Sequence, residues 1–175
     1  MKESKKMVFA AFFVALAFVF SLFTITIGQG MQIGITEFPI MVSGFVLGPL
    51  YGSLVGLVKD VITMMRMGYP ISIFTLSPIL LGLIPGLFLK VFGKKKLYKN
   101  VGLLILAVYI TTLARTLNNS VALHYVYGME WKAVIALLPP KLLILAIEGI
   151  LYVIIFRTLL PIIDKNFMNN DKLDH

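Results

Sequence analysis

Arg115, Asn118 and Asn119 lie within about one helical turn of each other in an otherwise apolar run, residues 101–124, and Lys141 opens the next run. A guanidinium and an ammonium supply only donors, whereas an amide offers a donor and an acceptor; together these groups suit an anion with a polar ring edge. In hydrocarbon they are expensive. An arginine near mid-bilayer costs on the order of 2.5–3.5 kcal/mol on insertion scales, so a retained one faces a partner charge, the bundle interior or a ligand.

The elements that position these groups must be membrane helices. Of the 175 residues, 59% are hydrophobic and 14% charged, and the mean hydropathy is +0.94, well above a soluble domain. The length fits a single domain, residues 1–175. With no cysteine, disulfides, thiol catalysis and cysteine metal sites are excluded. The net charge of +8 would suit a nucleic acid, but the basic residues fall between apolar runs. Lys2, Lys5 and Lys6 form one group; Lys90, Lys94, Lys95, Lys96 and Lys99 a second; Arg157, Lys165 and Lys172 a third. That is the positive-inside pattern, which assigns all three groups to the cytoplasm and makes the lipid bilayer, not a nucleic acid, the partner.

The chain is expected to be an all-α integral membrane protein. The run 7–27 is long enough to cross ~30 Å of hydrocarbon, and it ends in Thr24-Ile-Thr-Ile-Gly28 without a small-residue cleavage site. The stretch 35–65 is too long for one helix, and Pro49-Leu-Tyr-Gly52 reads as the turn that splits it. With the amino terminus and the Lys94-Lys95-Lys96 loop both inside, parity requires an even number of crossings between them. Spans over 7–27, 37–47, 50–65 and 75–92 satisfy it, and 101–124 and 141–160 return the chain to its basic tail. The expectation is six transmembrane helices with both termini cytoplasmic and external connections at 28–36, 67–74 and 125–136. Gly44, Gly48, Gly52 and Gly56, with Gly82 and Gly86, supply small faces for close helix packing.

In this topology Thr111, Arg115, Asn118 and Ala122 form one stripe in the outer half of the fifth helix, with Asn119 beside it. The sixth helix starts after Pro139-Pro140 and carries Lys141 near the outer surface and Glu148 two turns deeper, so that Arg115, Lys141 and Glu148 can meet. Two readings follow. Either a buried ion pair with Glu148 locks the helices, or two cations and two amides, more than one carboxylate satisfies, hold an anionic ligand at a site open to the outside. Glu37 follows Thr36, a potential N-cap, and complements the helix dipole, though it also lies within reach of such a site. Lys59 and Asp60 are adjacent, so each is expected to pair with another element. Arg66 ends its helix at the outer surface, where it can snorkel or meet ligand. Tyr69, Phe74, His124, Tyr125, Tyr127 and Trp131 cluster around the external loops as an interface belt from which some rings can stack on a flat ligand.

No enzyme constellation emerges. In residues 86–95 the glycines are too far apart for a phosphate loop, and Lys95 stands where Ser or Thr would bind magnesium. The two histidines, His124 and His175, do not make a metal site, and no cofactor is called for.

The segments GPLYGSLVGLVKD at 48–60, YPISIFTLSPILLGLIPGLF at 69–88 and LPPKL at 138–142 carry a family resemblance over nearly the whole chain. The sequence resembles the substrate-binding membrane subunits, or S components, of energy-coupling factor vitamin transporters, most closely the folate group. The resemblance implies a six-helix bundle in a bacterial cell membrane, with a vitamin held near the outer face by external loops and the last three helices. It implies a transmembrane coupling protein and two ATPases as partners, with Ala11 and Ala15 as the small residues of the first helix that dock on the coupling protein. Folate suits the site, since its two carboxylates match Arg115 or Lys141 and its pterin edge matches amides. Cobalamin, riboflavin or a modified purine are the alternatives, and a non-binding assembly subunit is the reading from another class.

Overall fold

The computed structural model describes residues 3–163 apart from 27–31, 34 and 69, with the backbone alone at 25, 26, 32 and 33. Helix α1 (Glu3–Ser21) is followed by two short strands, Ile25–Thr26 and Gln32–Ile33, paired antiparallel. Then come α2 (Glu37–Leu47), α3 (Pro49–Met67), a 3-10 turn (Ile73–Thr75), α4 (Leu76–Phe92), α5 (Lys94–Lys99), α6 (Val101–Tyr127), α7 (Trp131–Ala136) and α8 (Leu138–Ile163). Four segments are long and apolar enough to cross a membrane: Glu3–Ser21, Ile73–Phe92, Val101–Tyr127 and Trp131–Ile163. Glu37–Leu47 is apolar but short. Helix α3 contains Lys59, Asp60 and Arg66 and is not among the four.

Several boundaries differ from expectation, each for a local reason. The first helix stops at Ser21 instead of reaching residue 27, because β-branched Thr24, Ile25 and Thr26 favour extended backbone. The break between α2 and α3 is Gly48 itself, at φ 94°, a conformation that needs glycine. Pro49 therefore begins α3, where its missing N–H costs nothing, and Gly52 is helical rather than part of a turn. Helix α6 runs on to Tyr127, so Arg115 stands near its midpoint instead of close to its end. Helix α8 starts at Leu138 and holds both prolines in its first turn. The lysine-rich connection forms the helix α5, which the residue pattern did not suggest.

The central element is α2. From Pro39 to Leu47 every residue is buried, as befits a helix apolar on all sides. Phe45 and Phe156 anchor the core, with Phe38 stacked on Phe156 at 5.3 Å. Glycine makes this possible by letting α2, α3 and α4 approach backbone to backbone. A Cβ on Gly82 would collide with the Gly52 carbonyl oxygen, one on Gly56 with the Pro78 carbonyl oxygen, and one on Gly44 with the Gly82 carbonyl oxygen. The space around the Cβ position of Gly48 is open, but its backbone joins the contact, since a Cβ on Gly86 would stand 2.6 Å from the Gly48 carbonyl carbon.

Gly82→Ala is therefore expected to lower unfolding stability by about 1–3 kcal/mol or to prevent folding. Gly102→Ala, whose Cβ meets only the Asn100 side chain at 3.2 Å, should leave it nearly unchanged. Thermal unfolding in detergent compares the two, and equal stabilities would contradict the packing described.

Candidate functional site

Three helices contribute charged groups to one buried cluster. The 11 residues of α2 extend only about 16 Å, and Glu37 at its start is brought beside Arg115 of α6. On α8, Lys141, Leu145, Glu148 and Tyr152 recur at helical spacing along the buried face. On α6, Thr111, Thr112, Thr116 and Ser120 are buried alongside Arg115, and the Thr111, Thr112 and Ser120 hydroxyls bond back to carbonyls of their own helix.

Arg115 is held from both sides. Its Nη1 pairs with Glu37 Oε1 and its Nη2 with Glu148 Oε2 at 3.2 Å, and the three side chains are only 11–15% exposed. Glu37 Oε2, Arg115 Nε and the Tyr152 hydroxyl are buried without a hydrogen-bond partner among the described residues. The expected surplus of cations over one carboxylate is thus corrected: Glu37 is the second carboxylate. It does not serve merely as a dipole complement, and Thr36 makes no side-chain cap but shares a hydrogen bond of 2.8 Å with Thr24.

Lys141 is the cation left over. It is 7% exposed and its ammonium donates to the Ser120 hydroxyl at 3.3 Å, a neutral partner whose own proton goes to the Thr116 carbonyl. Glu148 lies two turns deeper on α8, and its carboxylate is engaged by Arg115 instead. Among the described residues a hydroxyl is the one group that meets this buried ammonium, which has three protons to donate.

The two asparagines are tied to α4. Asn118 Nδ2 donates to the Ile73 carbonyl at 3.0 Å and to Ser77 Oγ at 2.8 Å, and Ser77 Oγ donates to Asn119 Oδ1 at 2.5 Å. This clamp fixes the 3-10 turn and the start of α4 against α6. Ser77, Ser120 and Tyr152 belong to the cluster but carry no sequence signal, since a single hydroxyl in an apolar run fits no motif.

The remaining candidates are spread around that end of the bundle. His124 Nδ1 donates to the Met129 carbonyl at 2.8 Å, and the ring stacks on Trp131 at 4.2 Å. Phe74 packs on Tyr127 at 5.8 Å. Arg66 is exposed, lies over the Phe18 ring and is separate from the cluster. Tyr69 falls outside the described residues. Lys59 and Asp60 make no ion pair among the described residues, contrary to the expectation that each finds a partner. Elsewhere, Ala11 and Ala15 line an apolar groove of about 720 Å³ between α1 and α3, with Leu54 and Val58 on its far wall.

Comparisons with known proteins agree with this architecture. The family model for the substrate-specific component of ECF transporters matches residues 5–160. The folate transporter FolT of Clostridium novyi (strain NT) is 33% identical over 135 residues, 75% of this chain and 76% of that one. Among solved structures, FolT bound with folic acid superposes with a TM-score of 0.74 at 24% identity, covering 90% of this chain and 96% of the other. The S component of a bacterial ECF transporter gives a TM-score of 0.65 at 23% identity, covering 99% and 100%. The chain belongs to the substrate-specific components of ECF transporters: it is a membrane subunit that binds substrate, while ATP hydrolysis is carried out by partner subunits.

Proposed function

We propose that the substrate is folate, bound where α2 and α8 begin and α6 ends, and that a transmembrane coupling protein and two ATPases drive its uptake. The observation that carries this reading is Lys141, a buried ammonium with no carboxylate partner among the described residues. Holding such a charge away from water is costly, and a ligand carboxylate offsets that cost where a serine hydroxyl does not. Similarity to FolT of Clostridium novyi supports folate over other vitamins.

The roles divide by depth. Lys141 receives a glutamyl carboxylate; Arg115, neutralised by Glu37 and Glu148, is a keystone that shapes the floor of the site. Asn118 and Asn119 present amide groups to the ring edge from a position fixed by Ser77. Phe74 and His124 stand at that end of the bundle, where rings can stack on the pterin, and Tyr69 and Arg66 are proposed as further ligand contacts. Six spans with both termini cytoplasmic, in a bacterial membrane, belong to the same proposal: α2 and α3 form an antiparallel pair that completes the four longer segments, and the lysine groups supply the parity. Ala11 and Ala15 dock on the coupling protein through the groove between α1 and α3.

Trp131 is the only tryptophan and stacks beside the site, so its fluorescence can follow a folate titration of the purified protein. A saturable response below micromolar is expected, and its absence would count against folate. Lys141→Ala should weaken binding by about 1.5–3 kcal/mol, the value of a hydrogen bond to a charged group, without lowering the melting temperature. Arg115→Ala strands two buried carboxylates and should cost about 3–5 kcal/mol of stability. The reverse pattern, with Arg115→Ala stable and Lys141→Ala unfolded, would exchange the two roles. For the docking face, Ala11→Leu with Ala15→Leu should abolish folate uptake in cells carrying the ATPase partners while leaving the fluorescence titration unchanged; unimpaired uptake would exclude the groove as the docking site.

A further inference from the structure

At the end of the bundle remote from Lys141, α5 holds a cation cluster that substrate binding does not use. Lys95, Lys96 and Lys99 on α5 and Lys90 in the last turn of α4 are all exposed, and none pairs with a carboxylate among the described residues. The helix beneath them is anchored. Leu97 is 0% exposed within the core, and the Tyr98 hydroxyl donates to the Phe45 carbonyl of α2 at 2.7 Å. Gly93, at φ 73°, turns the chain sharply out of α4, and the Asn100 side chain caps α6 through the Leu103 N–H at 3.3 Å. The lysines are therefore presented from a fixed platform instead of a loose loop, and Lys96 rests over the Phe92 ring at 5.8 Å.

The depth of this platform limits what can meet it. Helix α5 has six residues, about 9 Å of helix, between α4 and α6, two segments each long and apolar enough to cross the membrane, which keeps it near the headgroup layer. An ammonium cluster there, with no carboxylate among the described residues to balance it, suits lipid phosphates. We infer that α5 and Lys90 form a docking surface for anionic phospholipid headgroups. Each lysine near a charged membrane surface contributes roughly a fivefold preference, so removing three should reduce it on the order of a hundredfold.

The full chain, reconstituted in nanodiscs of phosphatidylcholine with one third phosphatidylglycerol and released into the gas phase for native mass spectrometry, reads out which lipid stays bound. The wild type is expected to retain phosphatidylglycerol over phosphatidylcholine, Lys95→Gln/Lys96→Gln/Lys99→Gln to lose that preference, and Lys132→Gln, at the other end of the bundle, to keep it. The matched arginine triple variant should keep it as well. Should the glutamine triple variant fail to fold, Lys99→Gln alone and raised salt on the wild type must each reduce the preference. No preference in the wild type, or an unchanged preference in the glutamine variants, would overturn the proposal. Displacement of phosphatidylglycerol by soluble glycerol phosphate would also overturn it, by showing an aqueous anion site.

Discussion

The architecture turns on one arginine in the wrong solvent. Charged groups inside hydrocarbon must be paired or face ligand, and Arg115 is paired twice, by Glu37 at the start of α2 and by Glu148 in the middle of α8. Three helices distant in sequence are thereby fixed to one another at one depth. The pairing depends on where α2 begins. Glu37 is its first residue, and the packing of α2 among its neighbours sets that carboxylate against the guanidinium.

That short helix is itself allowed by glycine. Gly44, Gly52 and Gly82 bring α2, α3 and α4 to backbone contact, and Gly48 reverses the chain in a single residue. An apolar helix completely enclosed by its neighbours leaves its polar first residue nowhere to go but toward a buried cation. The energetics of packing and of charge thus support each other. With Arg115 paired twice, Lys141 stands out, one turn below the amino end of α8 and bonded among the described residues to Ser120 alone. The proposed division between a structural arginine and a receptive lysine rests on that difference in pairing.

Much of this was legible in the amino-acid sequence, and the parts that were not have physical reasons. Apolar runs and lysine groups identified the membrane class, and the helices α2, α4 and α6 lie close to their expected positions because long periodic segments dominate local choices. The meeting of Arg115 with Glu148 followed from helical spacing and the inward run of α8. The role of Glu37 did not: the span 37–47 was expected as it stands, but which cation meets its carboxylate depends on how α2 and α6 pack, and helical spacing within one element does not record that. The asparagines read as ligand groups from type alone, and nothing in the sequence announced that Ser77 of α4 would bond one polar atom of each. Short polar contacts between distant helices leave no periodic trace. The helix α5 was hidden for a related reason, as six lysine-rich residues resemble a loop until Leu97 and Tyr98 are seen buried.

The central claim is that Lys141, not Arg115, receives the anionic end of the substrate. A structure of the protein with folate bound measures this directly. The account predicts a glutamyl carboxylate oxygen within about 3 Å of Lys141 Nζ, with the Arg115 pairs to Glu37 and Glu148 intact. A carboxylate bound to Arg115 with either glutamate displaced, and Lys141 still on Ser120, would contradict it.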